Sequence, residues 1–125
     1  MTLEMELGMS YTDANNTGVS RGTDEGTQMK DVSFSGTNTS GFSGLAGGYR
    51  GDDGGFYNGG NDGYFWSASA YGTNAWRRIL VGGFTEVSRH YNDQRNGFSV
   101  RCVRDETKTW PRSGNGAGLF MMHSR

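Results

Sequence analysis

One proline (Pro111), one cysteine (Cys102) and one isoleucine (Ile79) stand among the 125 residues, and each shortage excludes something. A single thiol excludes an internal disulfide, a multi-cysteine zinc site and a vicinal redox pair. No apolar run approaches the roughly 20 residues of a membrane span, and no charged-then-apolar leader opens the sequence. The chain is therefore expected to be soluble, with no membrane insertion. At 13.6 kDa it has room for one core.

Aliphatic side chains are also scarce, with five Leu and six Val beside seven Phe, a level that raises the question of disorder. Charge argues against it. Disordered chains of low hydrophobicity usually carry a strong excess of one sign, whereas 12 basic groups here face 13 acidic ones. Six Tyr, three Trp and seven Phe can supply a core that is aromatic rather than aliphatic. Twenty-two glycines put much of the backbone into turns and left-handed conformations, so long helices are not expected.

Charge is uneven along the chain: residues 1–70 hold nine acidic and three basic groups, residues 71–125 four acidic and nine basic. The arginines do not form runs, so we read the two halves as pairing with each other and expect no nucleic-acid partner.

Leu3 and Leu7, with Glu4 and Glu6 opposite, fit two helical turns over 2–9. The stretch 11–34 reads as loop with one short helical turn, and 36–63 as a Gly/Asn/Asp-rich structured surface. Strands are predicted at 64–67, 75–81, 84–89 and 97–103, the middle two forming a hairpin around Gly82-Gly83. On the last, Phe98, Val100 and Cys102 share a face and are expected in the core, as is Trp76. Residues 106–125 show no periodicity and stay unassigned.

Several spaced motifs now become specific. The string Thr37-Asn38-Thr39-Ser40-Gly41-Phe42-Ser43-Gly44-Leu45-Ala46-Gly47-Gly48-Tyr49-Arg50, then Gly63-Tyr64-Phe65-Trp66-Ser67, Ala75-Trp76 and Gly97-Phe98-Ser99-Val100-Arg101-Cys102-Val103-Arg104-Asp105, resembles the Fibrobacter succinogenes major paralogous domain. Upstream, Leu7-Gly8-Met9 and Arg21-Gly22-Thr23-Asp24-Glu25-Gly26 also fit, so the resemblance spans about 3–105. Ala46 stands where that family commonly has proline, and the family's opening strand and most of its first helix are missing. The resemblance implies an α+β, C-type-lectin-like fold over 1–105, with Gly-rich loops, short antiparallel strands and little helix.

It also implies kinship with formylglycine-generating enzymes and with the variable proteins of diversity-generating retroelements. In the latter, adenine mutagenesis turns Asn codons into positions that never encode Trp, Met, Gln, Lys or Glu. Between Tyr71 and Asn96 those types occur only at Trp76, Glu86 and Gln94. On the strand 75–81, Trp76, Arg78 and Leu80 share one face and match the family, whereas Arg77, Ile79 and Val81 share the other and match nothing. With Tyr71, Phe84, Ser88, His90, Tyr91 and Asp93 they are the expected ligand-binding face. Such a mixed aromatic, aliphatic and charged patch suits a partner site. The implied role is a hypervariable, non-enzymatic ligand- or receptor-binding domain displayed on a cell surface or phage particle, its partner a protein or glycan on another cell or particle. The alternative is a fixed-sequence adhesion or structural domain of the same family.

Other features have plainer readings. His90 and His123 have no carboxylate or cysteine at ligand spacing, so neither is assigned a metal or catalytic role. Asp52, Asp53, Asn58, Asn61 and Asp62 offer oxygen ligands for a structural calcium, but those residues are also what tight turns need, and no cofactor is assigned. The paired glycines lack a following Walker lysine or dinucleotide fingerprint. Cys102 is read as a small buried hydrophobe. Arg78, Arg89, Arg101 and Arg104 are expected to pair with the acidic first half and tie its loops down.

Overall fold

The computed structural model describes residues 2–104. Short helices α1 (Leu3–Glu6) and α2 (Tyr11–Asn15) open the chain, followed by strand β1 (Gly18–Arg21), helix α3 (Glu25–Met29) and a single 3-10 turn at Val32–Phe34. A two-residue ribbon, β2 (Tyr49–Arg50) with β3 (Phe56–Tyr57), precedes the long strands β4 (Asp62–Tyr71), β5 (Asn74–Val81) and β6 (Val87–Asp93). The main sheet is antiparallel in the order β1-β6-β5-β4. Little helix and antiparallel strands agree with the α+β expectation, while β4, β5 and β6 are longer than the short strands expected.

Local chemistry sets the boundaries. The Thr2 hydroxyl accepts the Met5 N–H at the start of α1, and the Ser10 hydroxyl accepts the Asp13 N–H at the start of α2. The stretch 11–34, read as loop with one short helical turn, holds α2, α3 and a 3-10 turn; few apolar residues leave no helical periodicity at α2, and the Ser10 cap is its main signal. A Gly72-Thr73 turn joins β4 to β5, and Gly72 takes positive φ there. The long surface 36–63 is held by its own backbone, with Gly48 bridging to Gly63. At Gly48 a Cβ would overlap the Tyr57 carbonyl oxygen, and φ is +64°, so only glycine fits.

Alternation along the strands decides the core. Gly63, Phe65 and Ser67 on β4, Arg78 and Leu80 on β5, and Val87 and Arg89 on β6 all point inward and are buried. Phe34, Phe42 and Phe65 join Met9, Ala14, Met29, Leu80 and Val87 in one cluster, with Phe42 edge-on to Phe65 at 5.2 Å. The core thus mixes Phe and Met with Ala14, Leu80 and Val87, and among the described residues no Tyr or Trp belongs to it.

The predicted strand 97–103 is not formed. Only Gly97 and Ser99 make isolated bridges, to Arg50 and Phe65. Val100 is 74% exposed, Cys102 is exposed, and Phe98 is half-buried against other rings, so the core assignment of these three is corrected. A segment anchored at two points need not keep one inward face, and alternation read from sequence then misleads. Trp76, also expected in the core, is half-buried.

Arginines do tie the halves together. Arg78 and Arg21 both reach Glu4, Arg89 donates to the Asn15 and Asn16 carbonyls, and Arg101 donates to Phe42 O. Arg104 is exposed. Lys30, buried after α3, donates from Nζ to Val81 O and Phe84 O and so holds the β5–β6 connection from inside.

Burial alone would push the Glu4 carboxyl up, but the Arg78 and Arg21 guanidiniums outweigh it and hold it below its ordinary value of 4.5. A carboxyl depressed in the folded state stabilises the fold above its unfolded pKa, and that stability is lost as pH falls through the folded value. Thermal melts should therefore weaken below pH 4.5, and a Glu4→Gln/Arg78→Met double variant should show a smaller acid loss. Equal acid sensitivity of the two proteins would disprove the linkage. Arg21 is lowered to about 10, by burial against the opposing charge of Glu4.

Candidate functional site: the outward face of the sheet

Strand register builds this face row by row. Trp66 pairs with Arg77 and Arg77 with His90; Tyr64 pairs with Ile79 and Ile79 with Ser88; Asp62 pairs with Val81. Side chains in register share a face, so these eight residues occupy one side of β4, β5 and β6, opposite the core. Arg77 is fixed within it: its guanidinium donates to Asn92 Oδ1 and to Ser88 Oγ. Burial lowers its pKa against the opposing charge of Tyr64. Ile79 and Val81 are half-buried, His90 is exposed, and Ser88 is buried at the base of the face.

A wall of rings rises beside it. Phe98 stacks on Trp66 at 4.1 Å and leans on Tyr64 at 5.3 Å, while Tyr49 contacts Tyr64, Tyr57 and Phe98. Polar groups tie the hydroxyls: Asn58 donates to the Tyr64 oxygen, and the Tyr57 hydroxyl donates to Asp53. Burial pushes the Tyr64 phenol up, and Asp53 pushes the Tyr57 phenol up.

The nine residues expected to form one ligand-binding patch divide three ways. Arg77, Ile79, Val81, Ser88 and His90 share the outward face. Tyr91 and Asp93 have the opposite parity on β6, pairing with Trp76 and Asn74, and Tyr71 also pairs with Asn74. They lie on the inward side, beyond the end of the core. There Tyr71 stacks on Tyr91 at 4.4 Å, both meet Trp76 edge-on, and Arg89 lies over the Trp76 ring. Asp93 accepts both Arg95 Nε and Nη2 at 3.0 Å. Phe84, 56% exposed, sits in the connection before β6, because that strand begins at Val87 and not at 84.

A single patch is therefore corrected to two, plus Phe84. Sequence parity already separates 88 and 90 from 91 and 93 once they belong to one strand. What it missed is the aromatic half of the outward face. Trp66 and Tyr64 alternate with buried Phe65, and that alternation was the available signal.

The three rings outside the outward face, Tyr71, Phe84 and Tyr91, should not respond alike to replacement by serine, because Phe84 and Tyr71 are exposed and Tyr91 is half-buried. Phe84→Ser alone should stay within about 0.5 kcal/mol. Tyr91→Ser should cost about 1 kcal/mol, because it removes the ring contacts with Tyr71, Trp76 and His90. Urea titration of the single variants separates the two.

Oxygen-rich residues of 51–62 are used by turns: Asp53 accepts the Gly55 N–H and Asp62 accepts the Gly82 N–H. Among the described residues no group of three or more His, Cys, Asp or Glu could hold a metal ion. No helix among them is long and apolar enough to cross a membrane. What the outward face offers is ring surface, two aliphatic side chains, one hydrogen-bonded guanidinium and one imidazole, which suits binding.

The family model described as the Fibrobacter succinogenes major domain matches residues 1–104 of the 125. The chain belongs to that family. The match covers every strand and helix described above, so both faces of the sheet lie within the Fibrobacter succinogenes major domain. No curated protein and no solved structure matches the chain.

Proposed function

We propose that this Fibrobacter succinogenes major domain is a binding module with a C-type-lectin-like scaffold, and that a diversity-generating retroelement varies its outward face. Its partner is a protein or glycan on another cell or particle, and it acts by binding rather than catalysis. The division of labour on β5 carries this reading. Arg78 and Leu80 are sealed inside, whereas Arg77, Ile79 and Val81 hold no part of the core, so they can change without loss of the fold. Anchors would come from Ile79, Val81 and the ring wall, and specificity from Arg77 and His90.

Deep sequencing of the coding segment for 71–96 across a growing population tests it. Replacements should collect at codons 77, 79, 81 and 90 and spare 76, 78 and 80, and a template repeat and reverse transcriptase gene should lie nearby. An unvarying segment supports the second reading, a fixed-sequence adhesion domain. The observation favouring that reading is the hydrogen-bonded seat of Arg77 between Asn92 and Ser88.

A further inference from the structure

Three Asn-Gly pairs stand in the sequence, at 58–59, 96–97 and 115–116, the last outside the described residues. An asparagine before glycine is open to attack on its own side chain, because the next backbone nitrogen lies within reach of Cγ and glycine has no Cβ to obstruct the approach. That nitrogen must give up its proton. A hydrogen bond in which its N–H already donates therefore holds the reaction back.

The fold treats the two described pairs differently. Gly97 N–H donates to Arg50 O at 2.7 Å, in the bridge that seats this segment beside β2, and half-buried Asn96 donates from Nδ2 to Asp93 O. Gly59 N–H donates to nothing among the described residues. It belongs to the first central residue of a turn closed by Asn61 N–H on Asn58 O at 3.0 Å, with Gly60 at φ +84° in the second place. In such a turn the first central N–H takes no part in the closure. Residues 58–61 are all exposed, so water reaches the pair. The Asn58 amide nitrogen has one partner among the described residues, the Tyr64 oxygen at 2.8 Å, and that bond is exposed too.

We propose that Asn58 is a self-modification site, deamidated through Gly59, while the bridge to Arg50 protects Asn96. Gly59 N forms a bond to Asn58 Cγ, the Cγ–Nδ2 bond breaks, and ammonia leaves with the proton that Gly59 gives up. Water then opens the cyclic imide at one carbonyl or the other, giving aspartate or isoaspartate. Nothing is oxidised or reduced. Either product replaces the donor to Tyr64 with a carboxylate at the ring wall. Isoaspartate also lengthens the backbone at a close approach, since a Cβ on Gly48 would meet Gly59 N at 2.5 Å. The conversion stands apart from any binding role; only its effect on a partner rests on the proposed function of the outward face.

The test incubates the full chain at mildly alkaline pH, folded and in urea, and follows tryptic peptides 51–77 and 96–101 by mass spectrometry. Fragmentation places the amide-to-acid mass gain at Asn58 rather than Asn61 or Asn74. In the folded chain Asn58 should convert about five to ten times faster than Asn96, the factor expected for one backbone hydrogen bond that must first break. In urea the two should convert at similar rates. Gly59→Ala meets open space and needs no left-handed backbone, so it should fold normally and keep the Asn58 amide over the same period. An Asn58 that stays intact in the folded chain, equal folded rates, a ratio that survives in urea, or a Gly59→Ala chain that converts as fast as the wild type would each overturn the site.

Discussion

Arg78→Met with Glu4 retained should cost about 3–5 kcal/mol, because it leaves a buried carboxylate with only Arg21 to compensate it. Glu4→Gln with Arg78 retained should be similarly damaging for the converse reason. Removing both together should recover most of the loss, since a buried pair barely offsets its own desolvation and an apolar or neutral replacement avoids that cost. A double-mutant cycle by urea denaturation measures the coupling. If the double variant is as unstable as the sum of the singles, Glu4 and Arg78 are not an interacting unit.

Phe65→Ala should cost about 3–5 kcal/mol as a cavity in a small core. Phe65 lies on β4 between the edge-on ring of Phe42 and register partner Arg78, so its loss empties the place where the long surface 36–63 meets the sheet. Trp66→Ala, one residue on, points to the other face and loses ring contact with Phe98, about 0.5–1.5 kcal/mol beyond its area burial. Guanidinium denaturation of the two variants should rank Phe65→Ala clearly lower. The reverse ranking would mean that the two faces of β4 have been exchanged.

Much of the sheet was legible beforehand. The β5–β6 hairpin, the inward triplet Trp76, Arg78 and Leu80, and the pairing of Arg78 and Arg89 with the first half follow from alternation and charge. Family motifs located the domain. Three things were not legible, for different reasons. The strand β1 carries one apolar residue, Val19, and exposes it, so it shows no hydrophobic pattern; backbone pairing to β6 alone defines it. The start of β6 moved from 84 to 87 because Lys30, distant in sequence, holds Phe84 O and Val81 O in the connection. The outward face was half found, since its ring wall joins Tyr49, Tyr57 and Phe98 to β4 through contacts that no local periodicity records.

The bond from Glu4 to Arg78 spans 74 residues, and that from Arg89 to Asn15 spans the same distance. Closing loops of that length is slow relative to forming the β4–β5 hairpin, so the opening helices should dock after the three long strands have zipped together. On a ribosome α1 and α2, made before the sheet, would then settle after it, and Arg21 would keep its guanidinium in water until β5 and β6 arrive.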